Sequence, residues 1–473
     1  MRVEYLEPGE RIDLTALDRS PSADTEASET AAAIIAVVRE RGDEALAEYT
    51  KEFDNATRNG VIVGSREVDR SIRGISQELA SAINSAYQNI RNFHQQQMAQ
   101  SWFTTRADGV LLGSMVNPID SVGIYVPGGV AAYPSTVLMN AIPAKVAGVR
   151  RIAMVTPPRN DGTVDPAVLG AAHLVGVEEI YAVGGAQAIA ALAYGTESIA
   201  PVDKIVGPGN AYVTAAKRLV SGDVGIDMIA GPSEVAILAD ETADATFVAI
   251  DLLAQAEHDR NACTFLVTTD ESLVDEVIAE IEKQLTISPR QVISKPAIDD
   301  NCYVYICEDM DTAIDAINDI APEHLEIMVD QAIDYISLIK NAGAIFIGPW
   351  SPVSVGDYIA GPNHTLPTNR TSRWASPLSV NDFIKRTSIV SYSFAALSND
   401  VEKISALAMA EGLWAHSRSV EMRFEDDDDD DGEDAVFGEL AAYEGDDEGD
   451  DDEEFDDAEV DEFDDDEIDD DDA

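Results

Sequence analysis

The hydrophobic and polar positions along this chain switch between two periods, and the switching predicts strands that alternate with helices. Short apolar runs such as SVGIYVP, RRIAMVTPP and EEIYAVGG predict strands, and each precedes a segment with helical periodicity. The alternation resumes after Ala230 with the run SEVAILAD and the helical segment ATFVAIDLLAQAEH. Because strands that alternate with helices form parallel sheets covered on both faces, the pattern predicts an α/β fold. Its two blocks, at about 121–230 and 231–349, predict two α/β units.

The segments outside these blocks have other patterns. Residues 27–50, 67–98 and 399–424 have helical periodicity, and residues 350–384 are rich in Pro, Ser, Thr and Asn, which predicts a loop. From residue 425 to 473 there are 32 acidic residues and no lysine or arginine. This low-complexity tail has too little apolar content to form a core, so we expect it to be disordered.

The net charge limits the classes of partner. The whole chain has 89 acidic and 31 basic residues, and without the tail it still has 57 acidic residues and a net charge of −26. A body this acidic argues against nucleic acid or an anionic membrane as a partner. It also suggests a halophile, because in molar salt the Debye length is about 3 Å and repulsion between like charges is screened.

Other features predict a cytoplasmic protein. The acidic residues 1–13 lack the charged-then-apolar pattern of a signal peptide, and prolines and glycines interrupt the uncharged stretch 121–144, which makes it a poor membrane span. An odd number of cysteines argues against a disulfide framework. Cys302 and Cys307 lie five positions apart in a predicted strand, so they point to opposite faces, and with Cys263 we expect them to be buried as small apolar residues.

Histidine is scarce, with six in the chain, so each position is informative. We expect His173 to be structural and His94 to be a packing or surface residue. His258 differs, because Asp251, Gln255 and His258 lie at i, i+4 and i+7 of an apolar helix and share one face. A polar stripe on such a helix needs partners inside the fold. Either Gln255 and His258 converge on one ion, or His258 is a helix-end histidine bonded to main-chain carbonyls.

Later segments add further candidates. Glu323 and His324 are adjacent in APEHLEI and form a potential acid–base pair, and Asp357 and His364 lie in a loop whose glycines allow close approach of a ligand. Side chains of the Gln, His and Asp types drawn from separate segments suit Zn²⁺ and lack the thiolates of structural zinc sites. Taken singly, the His258 motif and the Glu323–His324 pair each favour a structural role. The last candidates, near the end of the folded body, are Glu411 and His416.

Three glycine-rich turns follow predicted strands, at 125–129, 183–187 and 206–210. Glycines at such turns let a phosphate or pyrophosphate group approach the backbone. None of the turns matches G-x-G-x-x-G, so the regular dinucleotide-binding fingerprint is absent. Strand-to-helix turns often need glycine for their own geometry, so each turn alone does not decide between the two roles.

Taken together and in this order, the segments resemble histidinol dehydrogenases. The resemblance runs from about residue 25 to 424, and its most specific part is AGPSEVAILAD followed by ATFVAIDLLAQAEH, within residues 230–258. Two features depart from the family: Ile229 stands where proline is expected, and the acidic tail has no counterpart in the common core. The supporting motifs are GIYVPGG, VGGAQAIAALAYGT, KIVGPGNAYVTAAKR, APEHLEI, GDYIAGPNHTLPT and EGLWAHSRSV.

The resemblance implies an activity and residue roles. The activity is oxidation of L-histidinol to L-histidine through an enzyme-held histidinaldehyde, with two NAD⁺ per turnover and one Zn²⁺ per subunit. Glu323 and His324 are the implied catalytic pair, in which His324 removes protons and Glu323 activates water. The implied zinc ligands are Gln255, His258, Asp357 and His416. The implied NAD⁺ contacts are Tyr125, Gln187 and Asn210. The implied substrate contacts are the zinc ligands together with Ser233, His324, His364 and Glu411.

The resemblance also implies an architecture. It implies two incomplete Rossmann-like domains with parallel-type sheets, a small N-terminal extension, and a C-terminal dimerisation arm. In a homodimer this arm completes the active site of the other subunit. The implied divisions are an extension at 1–20, a discontinuous first domain at 21–124 and 235–371, a second domain at 125–234, an arm at 372–424, and the tail.

Two other classes of protein compete with this interpretation. A zinc hydrolase would explain a metal site beside Glu323 and His324 but not three glycine-rich turns in an α/β body. A non-enzymatic protein that captures basic partners would explain the acidic tail but not residues 25–424.

Overall fold

The computed structural model of the chain describes residues 1–13, 15, 25–128 and 132–424. The acidic tail, for which we expect disorder, lies outside the described residues. The chain divides into two units, which are described separately. The main unit comprises Met1–Thr104 and Leu112–Val390, and the arm unit comprises Thr105–Leu111 and Ser391–Ala473.

The strands and helices follow each other in the alternation that the sequence predicts. The strands are β1 (Arg2–Leu6), β2 (Trp102–Thr105), β3 (Leu111–Pro118), β4 (Ser121–Tyr125), β5 (Arg151–Thr156), β6 (Glu179–Ala182), β7 (Lys204–Val206), β8 (Gly225–Ile226), β9 (Glu234–Ala239), β10 (Cys263–Thr268), β11 (Cys302–Cys307), β12 (His324–Met328), β13 (Ala344–Ile347) and β14 (Ile384–Ser391). The helices are α1 (Thr25–Arg41), α2 (Asp43–Phe53), α3 (Ser65–Ile72), α4 (Gln77–Gln95), α5 (Pro134–Ala147), α6 (Pro166–Val175), α7 (Gly185–Tyr194), α8 (Ala211–Val220), α9 (Ala245–Ala256), α10 (Glu271–Leu285), α11 (Gln291–Asn301), α12 (Met310–Ile320), α13 (Val353–Val355), α14 (Phe394–Ala410) and α15 (Trp414–Glu421).

Five strands form a parallel sheet in the order β6-β5-β4-β7-β8. The direction of strand addition reverses between β4 and β7, since β5 and β6 extend the sheet on one side of β4 while β7 and β8 extend it on the other. In open α/β sheets, ligands bind beyond the carboxyl ends of the strands at such a switch point.

Six strands form a second parallel sheet in the order β1-β11-β10-β9-β12-β13. Here the direction of strand addition reverses between β9 and β12. The edge strand β1 comes from the expected N-terminal extension and pairs with β11, from Arg2 beside Tyr303 to Leu6 beside Cys307. The two parallel sheets confirm the predicted fold class.

Both faces of the six-stranded sheet are covered, as a parallel sheet requires. Along β9, Val235 and Ile237 belong to one buried apolar cluster, whereas Ala236 and Leu238 belong to another. The three cysteines are buried and form no disulfide, and Cys302 and Cys307 pack on opposite faces, which confirms the prediction from their spacing.

Local sequence signals mark where several helices begin and end. Asp165, Asp244 and Asp270 each accept a hydrogen bond from the main-chain N–H two residues later, which caps α6, α9 and α10. Gly148 and Gly176 end α5 and α6 in the left-handed conformation that glycine adopts without strain. These signals are local, so a pattern-based prediction can find the elements without knowing the tertiary structure.

The structure differs from the sequence prediction in three places. The helical pattern at 27–50 is split between α1 and α2 by Gly42, whose φ is +52° and whose missing Cβ leaves room for the Glu197 carboxylate. The predicted loop at 350–384 contains α13, a π-helical turn at Gly356–Ala360 and two 3₁₀ turns. A three-stranded sheet in the order β14-β3-β2 was not predicted at all.

The described part of the arm unit consists of residues 105–111 and the helices α14 and α15. The hydroxyl groups of Ser405 on α14 and Ser417 on α15 both donate to Glu421 Oε1, at 2.9 and 2.7 Å, and so join the two helices. Phe394, Leu407 and Trp414 are each more than 60 % exposed, so the arm has several large apolar side chains at its surface. Within the described parts of the chain, no helix is both long and apolar enough to cross a membrane.

Candidate active site

The predicted acid–base pair lies at the amino end of β12, where both side chains are buried. Strand β12 runs beside β9, so Glu323 and His324 face the main chain of Glu234. The N–H of Glu234 donates to Glu323 Oε2 at 2.8 Å, and the carbonyl oxygen of the same residue lies 2.9 Å from His324 Nδ1. One residue of the neighbouring strand therefore positions both members of the pair.

The contact with Glu234 determines the tautomer of His324. A carbonyl oxygen can only accept a hydrogen bond, so Nδ1 carries the hydrogen, and the lone pair of the neutral ring lies on Nε2. Nε2 is buried, has no hydrogen-bond partner among the described residues, and lies 3.7 Å from Asp357 Oδ1. The ring is thus held with its proton-accepting nitrogen directed at Asp357.

The pKa values of both side chains are raised, for different reasons. Burial raises the pKa of the Glu323 carboxyl to about 7, against the opposing influence of His324. Burial alone would lower the pKa of His324, but the carboxyl groups of Glu323 and Asp357 outweigh it and raise that pKa to about 9. With this pKa the ring is mostly protonated near neutral pH, and the neutral imidazole that forms as the pH rises is a strong proton acceptor.

Asp357 is surrounded by three imidazole rings. It lies in the π-helical turn Gly356–Ala360, a rare conformation that is frequent at functional sites. Burial disfavours its charge, but His324, His364 and His258 together lower the pKa of its carboxyl group. The Nε2 atom of His364 is shielded from solvent and has no hydrogen-bond partner within the described chain. Asp357 therefore remains ionised at the centre of the cluster.

A buried histidine supports the loop that carries His364. His94 on α4 is fully buried, and its Nδ1 donates to the Ile90 carbonyl oxygen at 2.8 Å. Its Nε2 therefore accepts from Asn363 Nδ2, at 3.5 Å, and Asn363 also donates to the Met139 carbonyl oxygen at 2.6 Å. Of the two roles expected for His94, packing or surface, the structure shows packing, and its packing partner is the residue before His364.

Helix α9 brings the polar stripe noted in the sequence to this cluster. Gln255 is 2 % exposed, while His258 lies just beyond the end of the helix at an exposed position. Partial desolvation and the ring of His324 lower the pKa of His258, while Asp357 acts in the opposite direction. His258 is therefore close enough to both residues to share one electrostatic environment with them.

The side chains at this position fit a zinc ion by donor chemistry. Gln255, His258 and Asp357 offer an amide oxygen, an imidazole nitrogen and a carboxylate, a set that suits Zn²⁺. No group of three or more His, Cys, Asp or Glu side chains with metal-binding geometry occurs within residues 1–13, 15, 25–128 and 132–424. The implied ligand set contains three residues of the His, Cys, Asp and Glu types. His258 and Asp357 lie in the main unit, whereas His416 lies in the arm unit.

The arm unit carries the last two candidate residues. Glu411 is the C-cap residue of α14 and His416 lies in α15, and both are exposed. Ser233 directly precedes β9 in the main unit, where its carbonyl oxygen accepts from Cys263 N–H at 2.9 Å.

The three glycine-rich turns converge at the carboxyl end of the five-stranded sheet. Tyr125 at the end of β4 is buried, and its hydroxyl group accepts from Gly185 N–H at 3.1 Å, which joins the first turn to the second. Gly207 has a φ of +112°, and a Cβ there would collide with the carbonyl oxygen of Tyr125, so the third turn packs against the first. This meeting point lies between β4 and β7, at the switch point of the sheet.

The turns also contain polar groups suited to a nucleotide. Gln187 is 1 % exposed, and its Oε1 has no hydrogen-bond partner among the described residues. Asn210 caps α8 by accepting from Val213 N–H at 3.1 Å, so the positive end of that helix dipole points into the switch-point crevice.

A buried ion pair holds the third turn. Lys217 Nζ donates to the carbonyl oxygen of Gly207 at 2.9 Å and also contacts the Asp227 carboxylate. Asp227 in turn accepts from Gly207 N–H at 2.8 Å. The pair therefore engages both main-chain groups of a glycine in a conformation that other residues rarely adopt.

Comparison with known proteins agrees with this arrangement. Residues 17–424 match the model of the histidinol dehydrogenase family. The chain belongs to the histidinol dehydrogenase family. It is 51 % identical over 416 residues to the histidinol dehydrogenase of Halalkalibacterium halodurans, covering 88 % of this chain and 98 % of that protein. It is 50 % identical over 424 residues to that of Bacillus subtilis, covering 89 % and 99 % of the two chains.

A solved histidinol dehydrogenase has the same fold. The crystal structure of the enzyme from Elizabethkingia anophelis superposes with a TM-score of 0.84 at 38 % sequence identity. The match covers 90 % of this chain and 98 % of that chain. The resemblance deduced from motifs is confirmed over nearly the whole described chain.

Several groups that support the site have no motif in the sequence. They are the main chain of Glu234, the Lys217–Asp227 pair, and the buried carboxyl group of Glu326, which contacts Asp251. The sequence indicates Asp251 only as part of a polar stripe. Main-chain contacts between distant strands have no sequence signature, so only the register of β9 against β12 could show the role of Glu234.

Proposed function

We propose that this chain oxidises L-histidinol to L-histidine through an enzyme-held histidinaldehyde, using two NAD⁺ and a zinc ion. The observation that carries the proposal is the placement of Glu323 and His324 on the main chain of Glu234, with His324 Nε2 directed at Asp357. Family membership supplies the substrate and the pathway, the last steps of histidine biosynthesis, which we place in the cytoplasm.

We assign the zinc ion to Gln255, His258 and Asp357, with His416 as the fourth ligand. Zinc held by these residues would supply a positive charge for binding histidinol, and NAD⁺ would be the hydride acceptor in each oxidation. Ser233, His364 and Glu411 are the further substrate contacts in this proposal, together with the ligands and His324. The unpartnered and shielded Nε2 of His364 supports its role as a substrate contact.

His324 is the general base in both oxidations. In the first, Nε2 accepts the hydroxyl proton of histidinol, and in the second it accepts a hydroxyl proton of the hydrated aldehyde. The Nδ1 contact with Glu234 holds the tautomer that leaves Nε2 free for this task. Adjacent carboxylates stabilise the imidazolium that forms each time, which the raised pKa of His324 reflects, so we expect the neutral base to become more abundant as the pH rises towards 9.

Glu323 activates water between the two oxidations. Its buried carboxyl group has a pKa raised to about 7, so both of its protonation states are accessible near neutral pH. A carboxylate in this state takes a proton from water as the water adds to the aldehyde. Burial of the pair also keeps the reactive aldehyde away from bulk solvent.

We assign NAD⁺ to the switch-point crevice of the five-stranded sheet. Tyr125, Gln187 and Asn210 each lie in one of the three converging turns, and the unpartnered Gln187 Oε1 supports a ligand there. The crevice also matches the place where dinucleotides bind in this class of sheet.

We further propose a homodimer in which the arm of each subunit completes the partner's active site. The exposed apolar side chains of α14 and α15 support an interface, and the exposure of Glu411 and His416 supports their use by another surface. The proposed domain divisions are those stated above, with 372–424 as the arm.

The direct test adds L-histidinol and NAD⁺ to purified protein and follows NADH absorbance and bound zinc. Histidinol-dependent NADH and stoichiometric zinc are the expected results. If the protein binds zinc but produces no NADH, the result would favour the competing zinc hydrolase. Ester and amide substrates would then be assayed.

A further inference from the structure

One buried contact joins three segments that carry proposed site residues. Glu326 lies two residues after His324 on β12, so the two side chains leave the strand on the same face. Glu326 is 1 % exposed, and the reaction proposed above makes no use of it. A buried carboxyl group at this position needs partners, because an unpaired charge is costly away from water.

The first partner of Glu326 is the segment that leads to Asp357. Glu326 Oε1 accepts from the Val353 N–H at 2.7 Å. Val353 begins the short helix α13, which continues directly into the π-helical turn that contains Asp357. The hydrogen bond therefore links the strand of His324 to the turn of Asp357.

The second partner is Asp251 on α9. The carboxyl groups of Asp251 and Glu326 lie within hydrogen-bonding reach of each other. Asp251 precedes Gln255 by one helical turn and shares its face of the helix. Glu326 Oε2 has no N–H or O–H donor among the described residues, so a neighbouring carboxyl group is the chemistry that satisfies it.

Two carboxyl groups in contact cannot both be ionised without strong repulsion. Burial raises the pKa of each group, and for Glu326 the charge of Asp251 raises it further. An arrangement with one proton between the two groups avoids this repulsion and allows an O–H···O⁻ hydrogen bond.

We propose that Asp251 and Glu326 form a positioning pair, joined by one shared proton, that ties α9 and residues 353–357 to β12. The tie sets the spacing of the site residues on these three segments without touching substrate. For what the site does, the inference rests on the proposed function, but the tie itself is a property of the fold.

The test compares a conservative and a disruptive substitution at Glu326. In Glu326→Gln, the amide oxygen still accepts from Val353 N–H and the amide N–H donates to Asp251, so the tie persists. Glu326→Leu keeps the size of the side chain and removes both bonds. Asp251→Leu breaks only the contact with α9, and because Asp251 is half-buried it tolerates substitution if Glu326→Leu fails to fold.

Asp240→Leu is the matched control. Asp240 is also a buried carboxylate and directly follows β9. It accepts from Asp330 N–H at 2.9 Å, which joins β9 and β12 at their carboxyl ends, whereas His324 lies at the amino end of β12. Asp240→Leu should lower the melting temperature without changing the arrangement of the site residues.

The first measurement is hydrogen exchange of peptides that span α9 and residues 353–360, with zinc retention against a chelator and histidinol turnover measured alongside. We expect faster exchange in Glu326→Leu at both segments and in Asp251→Leu at α9. We also expect zinc affinity or turnover to fall by about 10- to 100-fold in both, as is usual for partners that hold metal ligands. Glu326→Gln should stay close to the unsubstituted enzyme, and Asp240→Leu should change only the melting temperature.

Two outcomes would overturn the inference. One is unchanged exchange and zinc retention in Glu326→Leu and Asp251→Leu. The other is a defect in Glu326→Gln as large as in Glu326→Leu, because then the charge and not the hydrogen bond would matter. If the unsubstituted protein fails to oxidise histidinol, the proposed function is wrong, whereas the exchange comparison still decides whether the tie exists.

Discussion

His324 Nδ1 lies 2.9 Å from the carbonyl oxygen of Glu234, a residue 90 positions earlier in the chain. Because the partner is a main-chain group, no side-chain substitution at Glu234 removes it. In the proposed mechanism this contact leaves the same nitrogen of His324 available for both proton transfers, and the neighbouring N–H of Glu234 holds Glu323 in the same way.

Glu323→Gln should impair oxidation of histidinaldehyde more than oxidation of histidinol. The amide oxygen still accepts from Glu234 N–H, so the fold persists, but an amide cannot take a proton from water, and only the second oxidation needs water. Steady-state rates with each substrate test this. Equal losses for both substrates would argue against a water-activating role.

Mixed dimers test whether the arm completes the partner's site. His416→Ala and His324→Ala subunits should each be inactive alone. If the arm crosses between subunits, a mixed dimer has one site with both defects and one with neither, so activity should reappear at up to about half per mixed dimer. No recovery after subunit exchange has been verified by mass spectrometry would place each site within one chain.

The sequence predicted the parts of the fold whose causes are local. Strand and helix alternation, the buried cysteines on opposite faces of β11 and the glycine-rich turns all follow from periodicity and turn chemistry. The sequence did not predict that β1 joins the six-stranded sheet, because five residues of strand pattern carry no information on their partner.

The site was predictable as a set of residues but not as an arrangement. Glu323, His324, Asp357 and His364 were all named from motifs, and the structure brings them together with His258. What holds them was not predictable, since the Glu234 main chain, the His94–Asn363 contact and the Asp251–Glu326 pair each join segments far apart in the chain.

Lys217→Met should raise the KM for NAD⁺ by about tenfold, because it removes one hydrogen bond made by a charged group. The effect on the KM for histidinol should be smaller. The substitution frees the carbonyl oxygen of Gly207 and leaves Asp227 buried without its ion-pair partner, so the melting temperature should fall as well. Adding Asp227→Asn should restore stability but not NAD⁺ affinity. Arg151→Met, in the more exposed pair with Glu179, is the control. An unchanged KM for NAD⁺ in Lys217→Met would contradict a role for this pair in the nucleotide site.

Salt should stabilise the folded body itself. Without the tail the chain retains a net charge of −26, and close like charges repel unless they are screened. We therefore propose a halophilic source and expect stability to fall below about 0.5 M salt, where the Debye length exceeds about 4 Å. Thermal melting of the full chain and of a chain ending at Phe424, between about 0.1 and 3 M KCl, tests this. A flat melting temperature would refute it, and a response that disappears with the tail would assign the effect to the tail.

The central claim is that His324 is the base for both oxidations, and the most direct measurement is the turnover of histidinol and of histidinaldehyde by His324→Asn with its zinc content verified. Asparagine cannot act as a general base, so both rates should fall by about 10²- to 10⁴-fold while zinc and fold are retained. A near-normal rate with either substrate would contradict the claim.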